Sequence, residues 1–169
     1  MDVLEAILSR RSIRKYTTEP VTDEEVELIL QAAMAAPSSG NARPWHFIVI
    51  RDHNTMDEVA RMHPYAGMLP NAQVSILVCA DEKLENHPGR WPQDCAAATE
   101  NILLAAHGLG LGAVWIGLHP EIDRIPLIRK LFDLPLTVHP LSLVAMGRPN
   151  EKKLPPHRFK PERIHYEKW

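Results

Sequence analysis

Residues 93–117 read QDCAAATENILLAAHGLGLGAVWIG, and the order of features in this stretch decides the fold class. From Gln93 or Asp94 onward, Ala97, Ile102, Leu103 and Ala106 keep helical spacing. The segment is small and apolar nearly all round, so its helix needs cover on most sides. Gly108, Gly110 and Gly112 close it, and Ala113 to Ile116 reads as a short strand. A dinucleotide-binding fingerprint needs a strand before its glycines and a helix after them. Here helix precedes strand. The glycines are therefore read as letting the chain turn tightly and bring backbone close to a ligand.

Working outward, Phe47 to Ile50, Val74 to Ala80 and Leu141 to Met146 have the look of buried strands. Val3, Leu4, Ile7 and Leu8 recur at helical spacing. A second helix, capped by Thr22 or Asp23, carries Val26, Ile29, Leu30 and Ala33 on one face and stops at Pro37. Weaker helical patterns cover Asn54 to Met62 and Glu121 to Leu131. Helices interleaved with few strands predict a mixed helix-and-sheet layer arrangement. From Gly147 onward the chain is rich in proline and charge, and either lacks order or lies along another surface. Its Phe159, Ile164, Tyr166 and Trp169 favour docking.

At 169 residues the chain fits one domain, 1–169, with no interdomain linker. A net charge of −2 gives no whole-protein field for nucleic acid or an acidic membrane, so any anion site is local. Cys79 and Cys95 sit in apolar contexts and read as buried free thiols of a reducing cytosol, with a disulfide as the alternative. The N-terminus lacks a signal peptide's apolar block, and no segment approaches the ~20 apolar residues that span a bilayer. These features predict a cytoplasmic protein.

Three cations and a hydroxyl stand together at Arg10, Arg11, Ser12 and Arg14. Such a group suits a phosphate that needs charge-assisted hydrogen bonds; a solvated basic helix end is the plainer alternative. Pro37, Ser38, Ser39 and Asn41 lie in a polar loop that feeds a strand through Trp45. Ser and Asn there can bond the polar edge of a ligand, or simply build a turn. The nine histidines form no compact metal-ligand pattern and neither cysteine has a CxxC partner, so no metal site is expected. Asp94, Glu100 and Glu121 lie at apparent helix starts or faces, where carboxylates are usually solvated or act as caps. There is no GxSxG elbow and no P-loop.

Taken in order, RRSIRKY at 10–16, APSSGN at 36–41 with Pro44-Trp45, the 94–117 segment ending GLGAVWIG, and Gly147-Arg148-Pro149 resemble the compact branch of the nitroreductase family. The resemblance implies an α+β fold, an α/β/α layered sandwich around a mainly antiparallel sheet. It further implies a homodimer whose tails, from about residue 150 to 169, wrap the partner subunit. The cofactor it implies is FMN, with NAD(P)H as co-substrate. By position, Arg10, Ser12 and Arg158, helped by Arg11, would hold the FMN phosphate, and Arg14 would approach the pyrimidine side of the ring. Pro37, Ser38, Ser39 and Asn41 would come from the partner. Backbone near Trp115, Ile116 and Gly117 would face flavin N5 and O4. No side chain is expected to be the hydride carrier.

The activity so implied is hydride transfer from NAD(P)H to a nitroaromatic, quinone or similar electron-poor small molecule by a ping-pong mechanism. An FMN-binding protein without turnover, and an offshoot that dehalogenates or fragments its ligand, are the alternatives. Arg43 stands where many members have glutamine, Ile116 where some have an acidic residue, and Pro156 where a second phosphate-binding cation often lies. Lys153 is a substitute for that cation, and Asn71 a candidate flavin contact in the short segment before Gln73.

Overall fold

A computed structural model describes residues 1–169. Four strands, β1 (Trp45–Ile50), β2 (Val74–Asp81), β3 (Gly112–Gly117) and β4 (Val138–Gly147), form one antiparallel sheet in the order β1-β2-β4-β3. The helices are α1 (Val3–Ser9), α2 (Asp23–Met34), α3 (His53–Met62), α4 (Trp91–Gly108) and α5 (Ile125–Leu131).

The sheet is buried on both faces because β2 and β4 carry apolar residues at nearly every position. Val74, Ile76, Val78 and Ala80 turn to one core, where Val26, Ile29 and Ala33 of α2 meet Cys95, Ala98 and Ile102 of α4. Leu77 and Cys79 turn to a second core with Met56 and Val59 of α3 and Ile128 of α5. Side chains alternate across a strand, so one run of β2 serves both layers. The expected α/β/α sandwich is the observed one.

Cover for α4 comes from α2 on one side and the sheet on the other. Its N-terminus lies at Trp91, two residues before the expected start. The Glu85 carboxylate accepts from the Arg90 and Trp91 N–H groups, both at 2.7 Å. Thr22 closes a full capping box with Glu25 at the start of α2. Both cysteines are buried and unpaired. In contrast, α1 buries nothing: Val3, Leu4, Ile7 and Leu8 are all exposed. The tail beyond Glu151 is exposed throughout. No helix is long and apolar enough to cross a membrane.

Of the glycines closing α4, Gly110 makes the expected tight turn at φ 78°, whereas Gly112 serves close packing. A Cβ on Gly112 would lie 2.6 Å from Ile13 Cγ2, and one on its ladder partner Gly147 would lie 2.9 Å from Tyr16 Cβ. The room is filled by the chain itself. Residues 10–16 lie against the sheet edge, with Ser12 bridging Ala113 and Tyr16 bridging Pro149. That seating brings Arg14 to the candidate site.

Candidate functional site

Because β3 is an edge strand, one of its sides has no sheet neighbour. In an antiparallel ladder, successive residues turn their main-chain groups alternately toward and away from the partner. Ala113 accepts from Ile13 N–H on the outer side, so Trp115 and Gly117 also face outward while Ile116 bonds toward Leu143 of β4. Of the two amides expected at a ligand, the ladder takes that of Ile116 and leaves that of Gly117 on the open edge. Ile116 still lines the cavity.

The cavity along this edge has a volume of ≈ 840 Å³, within the usual range for small-molecule sites. Val114 to Gly117 form one wall, Arg14 and Lys15 another, and His63 to Asn71 a third. Glu121 and Arg124 stand at one end, Glu151 and Lys153 at the other. Arg124 is paired with Glu121 at 3.6 Å, and Lys153 with Glu151 at 3.2 Å. The side chains of Arg14 and Lys15 have no carboxylate within salt-bridge distance. Two uncompensated cations therefore face an open main-chain edge in one cavity.

Glu151 ties the root of the tail to this wall. It accepts from the Arg14 N–H at 2.6 Å and pairs with Lys153, whose ammonium also donates to Ser12 O at 2.7 Å. The Arg14 N–H above all, and Lys153 after it, hold the Glu151 carboxyl below its ordinary value against an opposing desolvation.

A second cluster lies further back along the same segment. Arg11 and Arg158 share a groove of ≈ 320 Å³ with Pro155, Pro156 and His157. Desolvation, then the charges of Arg158 and Arg10, lower the Arg11 pKa. The Arg11 guanidinium donates to the carbonyls of Leu8, Arg10 and Leu154, and Arg10 faces Glu100 at 3.6 Å. The Ser12 main chain is tied to Ala113 and Lys153. Arg10 and Arg14 are four residues apart, at most ~14 Å of extended chain.

Pro37, Ser38, Ser39 and Asn41 are not brought to this cavity within the chain. Their loop is held from elsewhere: Ser39 N–H donates to Asp94 Oδ1 at 2.9 Å, Ser38 Oγ accepts from Arg43 N–H at 2.9 Å, and Asn86 donates to Gly40 O at 2.9 Å. Gly40 takes its positive φ freely, but Asn41 and Arg43 also have positive φ, a conformation that persists in non-glycine residues where the surroundings hold it. Asp94 is buried, not solvated, and its Oδ2 has no partner.

The cavity also contains residues that the sequence reading passed over. His63, Tyr65, Met68 and Arg124 line it. No local pattern marks His63; its distinguishing mark is burial, which only the fold reveals. Glu121, expected as a solvated or capping carboxylate, lines the same cavity.

The model of the Nitroreductase family matches residues 7–63 and 57–148. A protein of Methanothermobacter thermautotrophicus, provisionally named NADH dehydrogenase/NAD(P)H nitroreductase, is 52% identical over 169 residues, covering 100% of this chain and 88% of its own. A crystal structure from Parabacteroides distasonis with the same provisional name superposes with a TM-score of 0.94 at 41% identity, over 98% of each chain. Another, a provisionally named nitroreductase from Desulfovibrio desulfuricans in complex with FMN, gives 0.86 at 37% identity, over 100% of this chain and 98% of that one.

Proposed function

Because this chain belongs to the nitroreductase family, we propose that it is an FMN-dependent oxidoreductase drawing on NADH or NADPH to reduce a nitroaromatic, quinone or similar electron-poor small molecule. The observation that carries this reading is the unpaired Arg14 guanidinium sharing one cavity with the open main-chain edge at Trp115–Gly117. FMN, when bound, supplies the hydride chemistry that no side chain here offers. Arg14 would hold the ring's pyrimidine side and supply fixed positive charge that favours the reduced form. The Gly117 amide would offer the ring a hydrogen-bond donor without a titratable proton to lose. Arg10, Arg11, Ser12 and Arg158 hold the phosphate through charge-assisted hydrogen bonds.

Pro37, Ser38, Ser39 and Asn41 serve the site of the partner subunit in a homodimer, whose tails from about residue 150 to 169 exchange across the interface. Support for this comes from the exposed apolar residues of α1 and the tail and from the strained, externally braced loop at 38–43. The whole chain, 1–169, acts as one FMN-binding domain. Two buried free thiols suit a reducing cytoplasm.

One cavity serves NAD(P)H and acceptor in turn. Each must bring its reacting atom to within roughly 3–3.5 Å of the same ring position, so turnover is ping-pong. Purified protein should release FMN on denaturation, and NADPH should bleach the bound flavin's visible band. Double-reciprocal plots at several fixed acceptor concentrations should be parallel. FAD, no flavin, or a flavin that NAD(P)H cannot bleach would overturn the reading; intersecting lines would overturn the ping-pong order.

A further inference from the structure

Of the nine histidines, only His63 is buried, at 3% exposed. Both of its ring nitrogens are used. Nδ1 accepts from the Tyr65 N–H at 3.1 Å, and Nε2 lies 2.8 Å from Gly117 O. A main-chain N–H can only donate and a carbonyl can only accept. Nδ1 must therefore be bare and Nε2 must carry the proton, which fixes one neutral tautomer. A second proton would sit on Nδ1, directly opposite the Tyr65 N–H.

The carbonyl that His63 grips belongs to the same peptide unit as the Leu118 N–H, which donates to Leu141 O at 3.0 Å. This peptide is thus held from both sides, by β4 on the ladder side and by the imidazole on the open edge. The preceding peptide is held by the pairing of Ile116 with Leu143. Gly117 has no side chain to help, and even an added Cβ there would meet nothing within 4 Å. Its orientation depends on the hydrogen bonds that its own main-chain groups make, the one from His63 among them.

We propose that His63 is a positioning residue: its Nε2–H clamps the Gly117 carbonyl and so aims the Gly117 amide at the ligand in the cavity. The clamp also joins two walls of the cavity, the β3 edge and the segment from His63 to Asn71. Its role toward the cofactor rests on the flavin reading above, whereas the clamp itself belongs to the protein without cofactor.

Two substitutions separate the two bonds. In His63→Gln the side-chain amide reaches as far as Nε2 and keeps a donor for Gly117. In His63→Asn the shorter side chain keeps an acceptor for Tyr65 but cannot reach Gly117. In flavin-free protein, nitrogen-15 NMR should show His63 as the Nε2–H tautomer. Exchange of the Leu118 amide should rise about three- to tenfold in His63→Asn, the factor one net hydrogen bond supplies, and stay near wild type in His63→Gln. In FMN-saturated protein, His63→Asn should shift the flavin's visible band and slow its reduction by NADPH by a similar factor, with the NADPH concentration for half-saturation unchanged. His63→Gln should restore both.

A wild-type ring found charged or as the Nδ1–H tautomer would overturn the clamp, as would unchanged Leu118 exchange in His63→Asn. Equal slowing in both variants, with Leu118 exchange normal in His63→Gln, would refute the positioning role. Should His63→Asn fail to fold, the wild-type tautomer and His63→Gln exchange still decide. Wild-type protein that takes up no FMN would sink the functional reading instead, leaving the clamp to be judged on tautomer and exchange.

Discussion

At the scale of single residues, the site is made by where the chain withholds partners. Arg14 lies exposed on the cavity wall with its guanidinium unpaired, although Glu151 is near enough to bind its main-chain N–H. The carboxylate is spent on backbone and on Lys153, which leaves the guanidinium for a ligand. Replacing Arg14 with Ala should therefore leave the fold intact and slow flavin reduction in FMN-saturated protein by roughly tenfold or more, since a charged hydrogen bond is worth about 1.5–3 kcal/mol. An unchanged stopped-flow reduction rate would return Arg14 to the class of solvated surface cations. Gly112 gives the complementary case. An added methyl would stand 2.6 Å from Ile13 Cγ2 and 3.2 Å from Pro149 Cβ, and overpacking of this kind costs about 1–3 kcal/mol. Gly112→Ala should lower the urea midpoint and loosen FMN together, because the segment it displaces carries Arg10 to Arg14. Loss of stability with flavin affinity intact would show that the seat does not position the cations.

Elements differ in how far local sequence governs them, and the differences have identifiable causes. The strands β2 and β3 and the helix α4 were legible because apolar periodicity is a local signal. The start of α4 was not, since the Glu85 carboxylate that caps it lies outside the helix. For α5 the structure begins at Ile125 instead of Glu121. Pro126 in the first turn marks that start, and Ile122 to Arg124 form a turn before it. β4 starts at Val138 and runs through Pro140, ahead of the expected start at Leu141. Pro140 is tolerated because it pairs at the register shift beside Cys79. In the site, the cations at 10–14 could be read from the sequence as a cluster, whereas the bonds from Asp94 to Ser39 and from His63 to Gly117 join residues 55 and 54 positions apart. The root of the tail is another such long-range tie and yields a pH test. Glu151 titrates below its ordinary value in the folded chain. Its contribution is therefore present above the unfolded carboxylate value of about 4.3 and is lost as pH falls through the lower folded value. In flavin-free protein, Glu151→Gln should reduce stability at neutral pH and flatten part of the acid limb. The rest of that limb should survive on Glu25 and Asp52, which are also lowered. An acid limb identical to wild type would mean that Glu151 does not hold the tail.

For the molecule as a whole, surface area carries the argument. A compact 19.1 kDa monomer is expected to expose about 8,400 Å², whereas this chain exposes 10078 Å². The excess, roughly 1,700 Å², is what one partner contributes to an interface of obligate size. Its apolar share has a clear origin: Val3, Leu4 and Leu8 on α1, then Leu154, Phe159, Tyr166 and Trp169 along the tail. Two distant parts of the chain thus expose the kind of surface that a folded protein normally covers. Meanwhile the polar loop at 37–41 is braced by Asp94 and Asn86 with nothing from the cavity beside it. A second copy would resolve both facts at once, covering the apolar surface and giving the loop a site to serve. The full chain should therefore sediment as a dimer at all practical concentrations. A chain ending before Asn150 should lose the dimer and, with Arg158 and Lys153 gone, its FMN as well. Added FMN alone should not rescue it: even at high concentration it should not return flavin reduction to a truncated monomer that lacks a partner's loop. Equilibrium sedimentation with absorbance read at both protein and flavin bands tests this directly, and a full-length monomer that keeps FMN and is reduced by NADPH at the wild-type rate would overturn the shared site.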